Sequence, residues 1–276
     1  MRGSQETHEG KGRVAFVTGA GRGIGKAIAL GMARAGYSVV VASTTQPNNE
    51  AAAQEIHASG GRALAIEVDV GVEASVAQAV DQALAHFGRI DVLVNNAGLK
   101  GGIFPPERRR LAEVPLDRWR RMFSVNLEGP LMCAQRCVPA MLEAGAGSII
   151  NISSGAAQRD EEGGGAYAAS KAGLEAFSRT LAAELRAAHI AVNCIVPGNT
   201  QTERTDLSRL RPGQADRMLK TAAIVPLTLF LARQREAQIT GLTINVLRWN
   251  VENGLGGREV WGVFAWSQFD GHLFET

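Results

Sequence analysis

Seven short apolar runs recur along the 276-residue chain, at residues 14–17, 38–42, 63–68, 90–94, 148–152, 190–196 and 242–246. Longer amphipathic stretches rich in Ala, Leu, Glu and Arg separate them. Runs this short and this rich in β-branched side chains read as strands buried on both faces. Gly36, Gly60, Gly61, Gly88, Gly145 and Gly147 mark the helix stops. Strand and helix in alternation predict an α/β fold, a doubly wound parallel sheet of about seven strands with helices on both faces. No linker or internal repeat interrupts the pattern. The expectation is a single domain over residues 1–276 with a polar tail at 1–12. Ligands of such sheets bind beyond the carboxyl ends of the strands, and each motif below falls just after one of those ends.

Composition narrows the partners. A formal net charge of +2 speaks against nucleic acid and against an acidic membrane surface, both of which call for a concentrated basic face. The densest basic run, Arg108, Arg109 and Arg110 followed by Arg118, Arg120 and Arg121, reads as a solvated face, with a phosphate or partner site as the alternative. Cys133, Cys137 and Cys194 form no disulfide framework and point to a reducing compartment. No histidine is spaced to join Cys133 and Cys137 in a metal site, so no metal is expected and the thiols read as structural. The polar start lacks the apolar stretch of a signal peptide. No apolar run nears the ~20 residues of a membrane span, and the expected location is cytoplasmic.

Two segments carry chemistry. The first strand runs into Thr18-Gly19-Ala20-Gly21-Arg22-Gly23-Ile24-Gly25 and then a helix. Glycines let a backbone approach a pyrophosphate, and the helix N-terminus offers free N–H groups and a positive dipole end. Farther on, Tyr167 and Lys171 lie four residues apart, on one face of a helix. A phenol is a poor base at its ordinary pKa of ~10, and a neighbouring ammonium is expected to lower it. Such a pair also occurs by chance on an amphipathic edge.

The Gly-x-x-x-Gly-x-Gly spacing after Thr18, then Asp69-Val70, Asn95-Asn96-Ala97-Gly98 and Tyr167-Ala168-Ala169-Ser170-Lys171 in that order, resembles the short-chain dehydrogenase/reductase family in its classical, 3-oxoacyl-carrier-protein-reductase-like form. The resemblance runs from about residue 12 to 246. It implies a Rossmann-type fold that binds NAD(P), with Gly19, Arg22, Gly23, Ile24 and Gly25 at the pyrophosphate and Asp69 and Val70 at the adenine. Asn95, Ala97 and Gly98 would line the cofactor wall, and Pro197, Gly198, Thr200 and Thr202 the nicotinamide end. It further implies a catalytic tetrad. Tyr167 would be the general acid or base; Lys171 would tune it and bind the nicotinamide ribose. Ser154, thirteen residues before Tyr167, would hold the substrate oxygen, and Asn126 would support a proton relay. Ser153 is expected to face the sheet or backbone. After the second strand, Ser43 stands where NAD-using relatives carry aspartate. With Thr44 and Arg22 nearby, NADP(H) is favoured over NAD(H).

The implied activity is NADP(H)-dependent interconversion of a ketone and a secondary alcohol. The alternatives are an NAD-dependent alcohol dehydrogenase, a non-catalytic dinucleotide-binding regulator, or an epimerase or dehydratase retaining NAD. The substrate is a small molecule, lined by residues 98–104, residues 155–158 and a lid at 203–222 that carries Arg204, Arg209, Arg211 and Arg217. A homo-oligomer, tetramer or dimer, is expected. The resemblance fails after residue 246, where Asp-Gly-Gly is replaced by an aromatic extension, 247–276, with Trp249, Trp261, Phe264, Trp266, Phe269 and Phe274. Aromatic anchors of this kind read as subunit-interface packing, with a cap over the substrate cleft as the alternative.

Overall fold

The structure, a computed structural model, describes residues 10–99, 110–159, 163–203, 205, 213 and 215–263. Each apolar run is a strand: β1 Val14–Thr18, β2 Ser38–Ser43, β3 Arg62–Glu67, β4 Val92–Asn95, β5 Gly147–Ile152, β6 Ile190–Val196 and β7 Thr243–Asn245. All pair in parallel, in the order β3-β2-β1-β4-β5-β6-β7. The intervening helices are α1 Gly23–Arg34, α2 Gln46–Ala58, α3 Glu73–Phe87, α4 Leu116–Phe123, α5 Gly129–Glu143, α6 Gly165–Leu185 and α7 Val225–Ala232, with α8 Val246–Glu252 and α9 Arg258–Trp261 after β7.

Successive strand side chains alternate between two cores, as a period of two requires. Ala15, Val17, Val39, Val41, Val94 and Ile150 pack with α1, α2 and α7. Val14, Phe16, Val40, Leu93, Ile149 and Val192 pack with α3, α5 and α6. Central strands β1, β4, β5 and β6 are buried along their whole length, whereas edge strands β3 and β7 are only partly so. That is why the central runs are continuously apolar in sequence. Each fully buried aliphatic or Phe contributes ~1.5–3 kcal/mol, so the two layers dominate over any single hydrogen bond. Gly88 ends α3 as expected, at φ +76°, and donates its N–H to the Leu84 carbonyl at 2.8 Å; Gly147, expected at a helix stop, is instead the first residue of β5.

From β1 the chain winds outward through β2 and β3, then returns to β4 on the other flank of β1. The loops leaving β1 and β4 therefore diverge and open a crevice above their carboxyl ends. Of the polar tail, Gly10 is already buried against the Tyr37 ring and donates to the Ala35 carbonyl at 2.9 Å. The three cysteines are buried free thiols, and burial pushes Cys133 up to about 12 and Cys194 to about 11. Among the described residues, no helix is long and apolar enough to cross a membrane, and no cluster of His, Cys, Asp or Glu is placed to hold a metal.

The extension after β7 folds back on its own subunit. Asn245 caps α8, its side chain accepting the Arg248 N–H at 3.0 Å. Trp249 lies against Phe230 of α7 with centroids 5.2 Å apart, and Trp261 packs on the α1–α7 core. Both rings thus pack within the subunit while remaining half-exposed. Phe264, Trp266, Phe269 and Phe274 lie outside the described residues.

Candidate active site

The glycine loop is held from three sides. Thr18 Oγ1 accepts the N–H groups of Asn96 and Ala97, each at 3.0 Å, and Asn96 Nδ2 donates to the carbonyls of Thr18 and Gly19 at 2.9 and 3.1 Å. A Cβ on Gly25 would run into the Gly19 carbonyl and the Asn96 amide. One on Gly21 would stand 2.9 Å from Asn49 Oδ1 and 3.1 Å from Ser43 Oγ. From the far side, Thr202 comes within 3.3 Å of where a Gly23 Cβ would be. Exposed Arg22 is the N-cap of α1, yet no side chain caps this helix and no acid lies in its first turn. Its leading N–H groups stand open, as an anion receptor requires. A narrow glycine cradle under an uncapped helix fits a dinucleotide pyrophosphate, with half-buried Ile24 behind it in the core.

Around this cradle, several expected contacts have other commitments. Ser43 Oγ donates to Asn49 Oδ1 at 2.5 Å, while Asn49 Nδ2 donates to the carbonyls of Ser43 and Ile66 at 3.0 and 2.8 Å. The Ser43 proton is thus already used, and Thr44 is exposed. Asp69 accepts the Gly71 N–H at 2.9 Å and pairs with Arg121 at 2.7 Å, so Arg121 of the basic run is tied to this corner. Val70 is buried against Gly129 at the start of α5. Asn95 turns sideways to Asn151 Oδ1 at 2.8 Å; the side chain that laces the glycine loop is its neighbour, Asn96.

Beyond β4 and β5 the tetrad residues converge. Asn126 sits in a π-helical turn, Ser124–Glu128, between α4 and α5, a local widening common at functional sites. Its amide is fully buried, accepting the Leu99 N–H at 2.8 Å and donating to the Leu99 carbonyl at 2.9 Å and Ser170 Oγ at 3.0 Å. Gly98 lies between this amide and Lys171; a Cβ there would be 3.4 Å from Asn126 Oδ1 and 3.6 Å from Lys171 Nζ. Lys171 is buried, donates to the Ile152 carbonyl at 2.7 Å, and holds its ammonium 5.9 Å from the Tyr167 ring centroid. Ser154 caps the 3-10 turn Gly155–Gln158, its Oγ accepting the Ala156 N–H at 3.2 Å.

The electrostatics depart from the expected direction. Burial raises the Tyr167 pKa, and a hydrogen bond with Ser154 only partly offsets it. Burial also lowers Lys171 to about 8 against the pull of the Cys194 and Glu175 charges. Desolvation outweighs the ammonium because Lys171 is aimed at a backbone carbonyl and stands back from the phenol. Beneath the pair lies a residue that sequence reasoning missed. Glu175, one turn past Lys171 and only 6% exposed, accepts the Ser153 hydroxyl at 2.6 Å and lies 3.4 Å from Gln158 Nε2. Ser153 is buried, but its hydroxyl turns to this helix carboxylate and not to the sheet or backbone. The i, i+4 spacing of Lys171 and Glu175 was available as a signal; nothing local pointed to Asn49.

The loop expected at the nicotinamide end starts at Pro197 and Gly198 and is pinned. Thr200 bridges to Leu219, which in turn bridges to Gly262 of the extension. Lys220 N donates to the Trp261 carbonyl at 2.8 Å and Val263 N to the Met218 carbonyl at 3.1 Å. Of the expected substrate lining, residues 100–104, Arg204, Arg209 and Arg211 lie outside the described residues, and Arg217 is exposed.

The family model for short chain dehydrogenases matches residues 13–212. A short-chain type dehydrogenase/reductase of Picea abies is 34% identical over 253 residues, 85% of this chain and 91% of its own. A 3-oxoacyl-[acyl-carrier-protein] reductase of Synechocystis sp. is 36% identical over 246 residues, 85% of this chain and 95% of its own. Among solved structures, a blue fluorescent protein from a metagenomic library, in complex with NADPH, superposes with a TM-score of 0.77 at 35% identity, covering 86% of this chain and 96% of that one. By sequence, by fold and by the order of its motifs, the chain belongs to the short-chain dehydrogenase/reductase family and is an oxidoreductase.

Proposed function

We propose that this enzyme interconverts a ketone and a secondary alcohol with NADP(H), and that Tyr167 handles the proton. The observation that carries the reading is the convergence of Asn126, Gly98, Lys171 and the Tyr167–Ser154 pair beyond β4 and β5, beside a cradle suited to a pyrophosphate. Gly19, Gly23, Gly25 and the α1 N-terminus would hold the phosphates, and Thr200, Thr202 and Lys171 the nicotinamide end. When bound, the dinucleotide supplies or accepts the hydride.

Ser154 and Tyr167 hydrogen-bond the carbonyl oxygen, and Tyr167 delivers its phenolic proton as negative charge develops there. A phenol held neutral by burial suits that acid role across the neutral range. In oxidation the same phenol must first lose its proton, so alcohol oxidation is expected to rise toward alkaline pH while reduction stays flat and then falls. Asn126 fixes the Leu99 backbone and Ser170 on the side of Lys171 from which a proton would be replenished. Absence of a carboxylate at Ser43 and the exposed cation of Arg22 support NADP(H). The Ser43–Asn49 bond supports the NAD-dependent reading, because a 2′-phosphate would have to compete for that hydroxyl.

The assembly we propose is a homo-oligomer, dimer or tetramer, acting on a small molecule in the cytoplasm. The test is a pair of titrations with NADPH and NADH, followed by nicotinamide fluorescence, on wild type and Tyr167→Phe. Tighter NADPH binding in both, with turnover lost by about 10²-fold or more only in Tyr167→Phe, is the expected result. Unchanged turnover in the variant overturns the role of Tyr167, and tighter NADH binding overturns the NADP(H) preference.

A further inference from the structure

Two polar side chains, both exposed, stand at the end of the 3-10 turn that Ser154 caps. Gln158 reaches back with its amide 3.4 Å from the buried Glu175 carboxylate. Arg159 folds back over the turn. A Cβ on Gly155 would stand 2.5 Å from Arg159 Nη2, 3.2 Å from Cζ and 3.4 Å from Nε. The guanidinium therefore occupies the seat that a side chain on Gly155 would take, directly after Ser154. It is exposed and has no hydrogen bond or ion pair to any described residue. Adding the bond and Cα–Cα lengths, Nη2 lies at most roughly 8 Å from the Ser154 Cα.

A guanidinium that pairs with none of the described residues, beside the proposed oxygen-binding serine, matches one kind of substrate group. It presents parallel N–H donors to a carboxylate and recognises it bidentately, with charge. We propose that Arg159 binds a carboxylate carried by the substrate a few bonds from the reacting carbon, so that the substrate class is short oxo acids and the corresponding hydroxy acids. This assignment rests on the ketone–alcohol reading above. Gly155 is part of the device. Without a Cβ it lets the guanidinium lie back over the turn.

Charge-matched probe pairs test it: acetoacetate against methyl acetoacetate, and 4-oxopentanoate against its methyl ester. Wild type is expected to favour the acid of at least one pair by tenfold or more in kcat/KM. In Arg159→Ala that ratio collapses toward one, the loss falling on KM for the acid, and Arg159→Lys restores part of it. Gly155→Ala, whose new methyl displaces only the far end of a flexible side chain, moves the ratio the same way. Equal use of acid and ester by wild type, an unchanged ratio in Arg159→Ala, or turnover of neither pair by an enzyme that binds NAD(P)H each overturns the proposal. The two readings fail separately. Equal use of acid and ester leaves the oxidoreductase reading intact. Turnover undiminished in Tyr167→Phe removes the proton-transfer role but leaves a wild-type acid preference, and with it Arg159, standing.

Discussion

An ammonium buried as fully as that of Lys171 keeps one strong hydrogen bond, 2.7 Å to the Ile152 carbonyl, and loses most of its hydration. Burial lowers its pKa to about 8 from the ordinary 10.5. The unfolded chain therefore holds this proton to higher pH than the native state. Below about 8 both states are protonated and the burial penalty is constant. Above it the native lysine gives up its proton first, and stability rises with pH at up to ~1.4 kcal/mol per pH unit until the unfolded lysine titrates as well. In Lys171→Met that gain is absent. Chemical denaturation of both proteins at pH 7, 8, 9 and 10 should show wild type gaining on the variant over the upper part of the range; parallel curves would mean the lysine is not desolvated. Cys133 and Cys137 also titrate high through burial, but they are common to both proteins and drop out of the difference. Cys194, raised to about 11 by burial and electrostatically linked to Lys171, titrates above the range measured.

The elements that position the site are not those that define the fold. Residues 199–201, in the loop proposed to hold the nicotinamide end, pair with residues 218–220, which in turn pair with residues 261–263 of the extension. The extension thus acts on the loop through Leu219, an apolar residue only 2% exposed. Val263→Pro deletes the N–H that donates to Met218. Loss of one such bond costs about 0.5–1.5 kcal/mol, so KM for the dinucleotide should rise roughly two- to tenfold with a smaller change in kcat. A fall in thermal stability with an unchanged KM would show that the extension only stabilises the fold. Composition suggested interface anchors there; within the subunit Trp249 meets Phe230 and Trp261 the α1–α7 core, each with part of its ring still exposed.

At the scale of the molecule, the surface left after folding bears on assembly. Leu131 and Leu142, 39% and 50% exposed, lie eleven residues apart on α5, which puts them on one stripe of the helix. Leu116 of α4 is 66% exposed. Apolar side chains so arranged gain by burial against a second copy. Light scattering should therefore find wild type as a dimer or tetramer and Leu131→Glu/Leu142→Glu shifted toward monomer; a monomeric wild type would end the homo-oligomer proposal.

The repeating pattern of buried strands and amphipathic helices determined the fold class by itself, because period and length depend only on local order along the chain. The glycine loop was equally legible, since Gly19 and Gly25 answer a backbone requirement that any residue with a Cβ would violate. Family spacing also picked out Asn126, Ser154, Tyr167 and Lys171, which the proposed function takes as its tetrad. What the sequence left open is which polar side chains spend their hydrogen bonds on one another. Ser43 with Asn49, Ser153 with Glu175, Asn95 with Asn151 and Asp69 with Arg121 are pairs 6 to 56 residues apart. Such pairs form only once strand register and helix packing have set the distances. The same holds for the seat of Arg159 over Gly155, which depends on the path of one short turn. Tertiary structure decided these, because hydrogen-bond and ionic contacts act over a few ångströms in space and are blind to separation along the chain.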